Sequence, residues 1–200
     1  IPKLFRKMLI PTLLGMVLSA TITIIDGIFV GRGVGSDALA AVNIVAPFFM
    51  LSTGIGLMFG VGASIVASIH LAHNKIKVAS INVTQAFTVS LSLTVLLCAL
   101  VMTFRTNVAY LLGSSDMLLP LVLEYMNWIV PFLACNMLLG VGLFIIRLDG
   151  SPTFAMLCSA IPAAINLVLD YIFVFPLGWG LAGAAMASVI SVVAGSIMIL

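Results

Sequence analysis

The 200-residue chain is 63% hydrophobic and only 7% charged, with a mean hydropathy of +1.34. Soluble proteins contain about 25% charged residues, and apolar runs of about 20 residues or more signal membrane spans. The composition therefore excludes a water-soluble domain and predicts an all-α protein embedded in a lipid bilayer. The net charge of +2 is scattered along the chain, so no nucleic-acid partner is expected.

Six apolar runs, separated by charges, glycines and prolines, are each long enough to cross a bilayer. The predicted helices cover residues 8–30, 38–69, 81–104, 118–146, 153–175 and 180–200. The second run is longer than a span requires, so it is expected to tilt or to kink at Pro47. Within it, Gly56 and Gly60 are one helical turn apart, a spacing that lets another helix approach closely.

The distribution of lysine and arginine predicts a cytoplasmic amino terminus. With this orientation six basic residues lie inside and two outside, an arrangement that the positive-inside rule favours. The inner residues are Lys3, Arg6, Lys7, Lys75, Lys77 and Arg147, and the outer ones are Arg32 and Arg105.

Two aspartates inside apolar runs are the main candidates for a functional site. Asp26 lies five residues before the expected outer end of the first span. Asp170 lies five or six residues before the expected outer end of the fifth span. At 1.5 Å per residue, both carboxylates are about 8 Å below the outer helix ends. Asn166 is one turn below Asp170, and Ser188 is about 12 Å into the sixth span. Four oxygen-bearing side chains from three helices are therefore expected in one layer.

Inserting a carboxylate well inside a bilayer costs on the order of 2.5–3.5 kcal/mol of free energy. Such a group therefore usually binds a ligand, pairs with another group or takes part in transport. Two neighbouring carboxylates can be neutralised by a proton or by a hard cation such as Na⁺, which oxygen ligands suit. The alternative is a set of polar side chains that only tie helices together. The functional explanation is favoured; no metal other than Na⁺ and no cofactor is expected, and no constellation of serine, cysteine or histidine suggests hydrolysis.

Prolines and possible cavity residues complete the candidates. Pro11 and Pro162 each remove a backbone donor and kink a helix; a static bend is the default and a moving hinge is the alternative. Glu124, about two turns into the fourth span, could reach the interface or face an internal cavity. Other side chains could line such a cavity, although they more often pack between helices: Gln85, Trp128, Phe132, Asn136 and Met137.

Two separated segments carry a resemblance to a known family. The first is IDGIFVGR at residues 25–32, followed by DALAAV at 37–42; the second is NLVLDY at 166–171, followed by GLAGAAMAS at 180–188. These resemble the signatures of helices one and two, and of helices five and six, in multidrug and toxic compound extrusion (MATE) transporters. Pro11 matches a helix-one proline of the DinF-like branch.

The resemblance implies a twelve-helix fold of two six-helix lobes around a central cavity, of which this chain resembles the amino-terminal lobe alone. It implies a cation-coupled antiporter, not an enzyme, that exports amphipathic and often cationic drugs and toxic compounds across the bacterial inner membrane. It also implies that H⁺ or Na⁺ binds at Asp26, Asn166 and Asp170. Ser188 stands where the family commonly has a threonine.

Two alternatives remain open at this point. A lipid-linked oligosaccharide flippase of the same superfamily would line its cavity with cationic residues, and this chain has essentially no mid-membrane lysine or arginine. A non-transporting membrane scaffold or enzyme subunit would make the polar layer purely structural. Coupled export is favoured over both.

Overall fold

The computed structural model describes the backbone of residues 2–199 and the side chains of residues 9–199 except 11, 12, 18, 19 and 23. Six segments in it are long and apolar enough to cross a membrane, which confirms the predicted six-helix bundle and makes this a multi-pass membrane protein. The helices are α1 Pro2–Gly33, α2 Ser36–Ala72, α3 Ile76–Thr103, α4 Arg105–Leu111, α5 Leu119–Ile129, α6 Leu133–Leu148, α7 Pro152–Val174 and α8 Gly180–Ile199.

The helix ends differ from the predicted limits where charged residues adjoin an apolar run. The third span begins at Ile76 rather than at 81, because Lys77 can continue a helix while its side chain extends into water. The first helix continues past Arg32 to Gly33, so the turn is confined to Val34 and Gly35. At Gly35 φ is +117°, a conformation that favours glycine. Loop 34–35 marks one end of the bundle, called here the Gly35 end.

The fourth predicted run, 118–146, is not one continuous α-helix. Helices α5 and α6 are joined by a turn of 3₁₀-helix at Val130–Phe132 and together form one span. Pro131 explains the interruption, because it has no N–H to donate to the carbonyl four residues earlier. The short helix α4 was not predicted, because its seven residues are too few and too polar to form a span.

Close packing between α2 and α6 depends on glycine. A Cβ atom placed on Gly60 would lie 2.8 Å from Phe144 Cδ2, and one on Gly56 would lie 3.2 Å from the Met137 carbonyl oxygen. Both distances are shorter than ordinary contacts, so the two backbones touch only because no side chain stands between them. This confirms the close approach predicted from the glycine spacing.

Helix α3 presents an apolar face to the outside of the bundle. Its exposed side chains include Val89, Leu93 and Leu96. Most of its hydroxyl groups are bonded back to their own helix, as in the bond from Thr88 Oγ1 to the Thr84 carbonyl at 2.8 Å. Such bonds satisfy a hydroxyl without a partner helix, so this surface suits lipid.

The turn between α7 and α8 fixes the register of these two helices. Gly178 and Gly180 have φ values of +63° and +58°, which residues with a Cβ rarely adopt. Between them, Trp179 donates its backbone N–H to the Phe173 carbonyl at 2.9 Å and stacks on the Phe173 ring with centroids 5.0 Å apart. Helix α8 therefore returns beside α7 as its antiparallel neighbour.

Ser52→Ala is expected to destabilise the lobe by about 1 kcal/mol, because the buried Ser52 hydroxyl donates to the Leu133 carbonyl at 2.8 Å, directly after the 3₁₀ turn. Thermal unfolding of the purified complete protein measures this change. Ser64→Ala is the matched control, since the Ser64 hydroxyl bonds within α2 to the Val61 carbonyl at 2.8 Å. Equal stability losses in the two variants would contradict a special role for the Ser52 bond.

Candidate functional site

Asp26 of α1 and Asp170 of α7 lie beside each other near the Gly35 end. Their carboxyl groups are close enough to share a hydrogen bond when one of them carries a proton. Asp170 is 0% exposed, and Asp26 is partly buried. The contact arises because α1 packs against α7 and because each acid is one to two turns from the end of its helix. The two acids therefore occupy one layer, as the count of residues along each helix predicts.

Two free carboxylates cannot be accommodated here at low cost. Asp26 Oδ1 and both carboxylate oxygens of Asp170 are buried, and none accepts a hydrogen bond of good geometry from the described residues. A buried anion without partners is strongly unfavourable, and two adjacent anions also repel each other. A proton shared between the acids, or a cation held between them, would relieve the repulsion and leave a single negative charge on the pair.

Asn166 and Ser188 extend the site from the acid pair to α8. The Asn166 amide lies next to the Asp170 carboxyl group. Its Nδ2 atom also donates to Ser188 Oγ across the α7–α8 interface at 3.4 Å. The structure thus brings together all four side chains expected in the layer, and their oxygens are the ligands that a hard cation prefers.

Four aromatic side chains lie on the helices that carry the acids or close to the acids, and sequence reasoning missed them. Tyr125 of α5 is 5% exposed and lies close enough to both carboxyl groups to interact with them electrostatically. Phe29, Tyr171 and Phe175 contact one another between α1 and α7, with ring centroids 5.6–6.3 Å apart. Tyr171 adjoins Asp170, and Phe29 is one turn beyond Asp26, so the helical spacing could have revealed this cluster. No local pattern points to Tyr125.

A small cleft lies on the other side of Ser188. Asn136 of α6 is the second polar residue in it, and its Nδ2 atom lies 3.4 Å from both Ser52 Oγ and Thr53 Oγ1. The lining residues are Phe49, Ile129, Phe132, Leu133, Asn136, Ser188, Val189 and Val192. Ser188 therefore borders both the acid site and this cleft.

The other predicted cavity residues lie outside this cleft. Gln85 on α3 is exposed, as are Glu124 and Trp128 on α5. The rotation of each helix about its axis, which decides what a side chain faces, depends on tertiary packing. Met137 is fully buried in the core.

The two predicted hinge prolines differ in what can be described. Pro162 lies inside α7 and is buried, and a Cβ on Gly195 of α8 would lie 2.8 Å from its Cγ atom. This tight packing supports a fixed bend at Pro162. The side chain of Pro11 lies outside the described residues.

Comparisons with known proteins agree with this architecture. The family model described as MatE matches residues 11–172. The multidrug export protein MepA of Staphylococcus aureus strain MRSA252 is 30% identical over 197 residues, covering 94% of this chain and 42% of MepA. An FAD transporter of Shewanella oneidensis is 26% identical over 195 residues, covering 96% of this chain and 43% of the transporter.

Solved structures of the same family also match this chain over nearly its whole length. A crystal structure of MATE in complex with MaD3S superposes with a TM-score of 0.92 at 28% identity, covering 98% of this chain and 44% of that one. The chain thus spans less than half the length of these relatives, which corresponds to one lobe of a two-lobed transporter. Since the family model covers most of the sequence, the chain belongs to the MatE family of membrane transporters.

Proposed function

We propose that the chain is the amino-terminal lobe of a cation-coupled antiporter that exports amphipathic, cationic organic compounds across the bacterial inner membrane. Asp26 and Asp170 would bind the coupling ion, H⁺ or Na⁺, with Asn166 and Ser188 as further ligands. The observation that carries the proposal is the contact between these two acids, whose buried oxygens lack hydrogen bonds from the described residues. A second six-helix lobe would complete the central cavity.

Binding of the coupling ion would change the charge of the site and therefore its preferred packing. Without the ion, repulsion between the two carboxylates favours an arrangement in which α1 separates from α7 or water reaches the pair. With one H⁺ or Na⁺ bound, the pair carries one negative charge instead of two, so burying it between the helices costs less. Coupling then requires only that ion and drug stabilise different states of the transporter.

Ser188 connects the proposed ion site to the neighbouring cleft. Its hydroxyl accepts from Asn166 on one side and borders the cleft on the other. A change in the position of Asn166 when the ion binds would therefore alter one wall of the cleft.

The direct test uses the complete protein reconstituted into lipid vesicles. Ethidium efflux is measured with a pH gradient alone, with a Na⁺ gradient alone, and with each gradient collapsed by its ionophore. At least one gradient is expected to drive efflux, and the collapsed gradient serves as the control. Efflux that proceeds equally well without either gradient, or no efflux at all, would rule out coupled export of this compound.

The resemblance to an FAD transporter favours testing anionic cargo as a second candidate. A phosphate-bearing cargo needs cationic groups at the binding surface. All eight lysines and arginines of this sequence, however, lie near the ends of the predicted spans. FAD and a lipid-linked oligosaccharide are therefore expected not to move in the same vesicles, and transport of either would favour the alternative.

A further inference from the structure

We propose that residues 104–117, which include helix α4, form an interfacial segment that inserts its apolar side chains into the lipid leaflet at the Gly35 end of the bundle. The partner is the lipid surface itself, recognised through its acyl chains and not through the charge of a headgroup. This interaction does not depend on the proposed export activity, so it can be tested on the protein in vesicles with no gradient present.

The interfacial segment carries large apolar side chains that no other described part of the lobe covers. Leu111 is 86% exposed, Met117 is 78% exposed and Phe104 is 54% exposed. The other side of α4 packs against the core, where Ala109 is fully buried and Val108 is partly buried. The segment is therefore closed on one side and apolar on the other, a pattern that marks a surface meant to be covered.

These exposed side chains continue the surface of α3 that suits lipid. Leu96 and Leu100 on α3 are each more than half exposed, and Phe104 follows Leu100 after one helical turn. Phe104 separates α3 from α4, and helical hydrogen bonds are kept on both sides of it. The Phe104 N–H donates to the Leu100 carbonyl at 3.2 Å, and the Val108 N–H donates to the Phe104 carbonyl at 3.0 Å. The leaflet that covers α3 therefore also reaches the interfacial segment.

The length of α3 places the interfacial segment at the level of the lipid headgroups. Lys77 lies at the start of α3, where its ammonium group must reach water. From Lys77 to Phe104 the helix extends about 40 Å at 1.5 Å per residue. The hydrocarbon core is only about 30 Å thick, so α3 crosses all of it before Phe104. Side chains of the interfacial segment can then enter the acyl chains from the boundary, as in helices that lie in the membrane plane.

Hydrogen bonds hold the interfacial segment in this orientation. Arg105 Nη1 donates to Asn127 Oδ1 of α5 at 2.8 Å, which fixes the start of α4. The Tyr110 hydroxyl donates to Asp116 Oδ1 at 2.7 Å and ties the end of α4 to the loop that follows. At Gly113 φ is +94°, a conformation that favours glycine and ends the helix. The exposed side chains of α4 and its loop are therefore held away from the core.

The charges of the interfacial segment favour lipid without selection of a headgroup. Its charged side chains are Arg105 and Asp116, whose opposite charges cancel, and each is bonded to a polar side chain. Recognition of anionic lipid requires a cluster of lysines and arginines, which residues 104–117 do not contain. Tyr110 has an apolar ring and a polar tip, a combination that suits the boundary between lipid and water.

The test is spin labelling of the complete protein in lipid vesicles, with a nitroxide attached to one introduced cysteine at a time. Its accessibility is measured to O₂, which concentrates in lipid, and to a water-soluble nickel chelate. Leu111→Cys and Met117→Cys are expected to show a ratio of O₂ to nickel accessibility several-fold higher than that of Thr106→Cys, the matched control. Thr106 is exposed on the same short helix but lies about 140° from Leu111 around its axis. Adding phosphatidylglycerol to phosphatidylcholine vesicles should leave these ratios unchanged.

Two results would overturn the proposal. A label at position 111 that is as accessible to nickel as one at position 106 would place the segment in water. A label at position 111 that is shielded from both reagents would show that protein covers it, either the second lobe or a second copy of the chain. A photoreactive phospholipid gives a further measurement on the unmodified protein. Cross-links mapped by mass spectrometry are expected at Leu111 and Met117 and not at Thr106, and their absence from both apolar residues would contradict insertion.

Discussion

Asp170→Asn in the complete transporter is expected to reduce gradient-driven ethidium efflux to the level of protein-free vesicles. Asparagine keeps the size of the side chain but cannot release a proton or supply the charge that attracts Na⁺. Because Asp170 is fully buried beside Asp26, other side chains of the described lobe cannot substitute for its carboxylate. Asp26→Asn is expected to have the same effect, since the proposed site requires both acids.

The controls for this prediction separate coupling from folding. Asp149→Asn removes an exposed acid from the turn between α6 and α7 and should leave efflux unchanged. Membrane yield and melting temperature of Asp170→Asn should equal or exceed those of the unmodified protein, because the folded state no longer buries a group that can ionise. If Asp170→Asn and Asp26→Asn both retained full efflux, the proposed coupling site would be wrong.

Gly60→Ala is expected to lower the free energy of unfolding by about 1–3 kcal/mol, the usual cost of overpacking a closely packed interior. The added methyl group would lie 2.8 Å from Phe144 Cδ2 and 3.2 Å from the Cα atom of Val141. The Phe144 ring can move, but the backbone of α6 cannot move without disturbing the α2–α6 interface. Denaturant titration of the purified complete protein in detergent measures the change.

Gly62→Ala is the matched control on the same helix, because no described atom beyond its chain neighbours and the adjacent turns of backbone lies within 4 Å of a Cβ at Gly62. Alanine has a higher helix propensity than glycine, so this variant should be neutral or slightly more stable. A stability loss of the same size in both variants would show that α2 does not depend on the close approach to α6.

The architecture and the depth of the site could be predicted because both follow from distances along a helix axis. Hydropathy gives the length of each span, and the constant rise per residue gives the depth of each side chain within it. Asp26 and Asp170 were therefore expected in one layer, and the structure places them in contact. The same reasoning located Asn166 and Ser188.

The rotation of each helix about its axis was not predictable in this way. A span that is apolar on all sides has no amphipathic pattern to show which face is buried. Gln85 and Trp128 therefore lie away from the cleft, while Tyr125 faces the acids without any sequence signal. Pro131 does indicate the 3₁₀ turn, because proline interrupts an α-helix. A span defined only by its hydropathy does not show such an interruption.

The hydroxyl groups of α3 have a consequence for membrane insertion. Thr84, Thr88 and Ser92 each donate to a carbonyl one turn earlier in the same helix, at distances of 2.8–3.0 Å. These bonds lower the cost of placing the hydroxyl groups of α3 in lipid without a partner helix. The carboxylate of Asp170 on α7 has no such internal partner among the described residues. During biogenesis α7 would then depend on α1 being present already, which the order of synthesis provides.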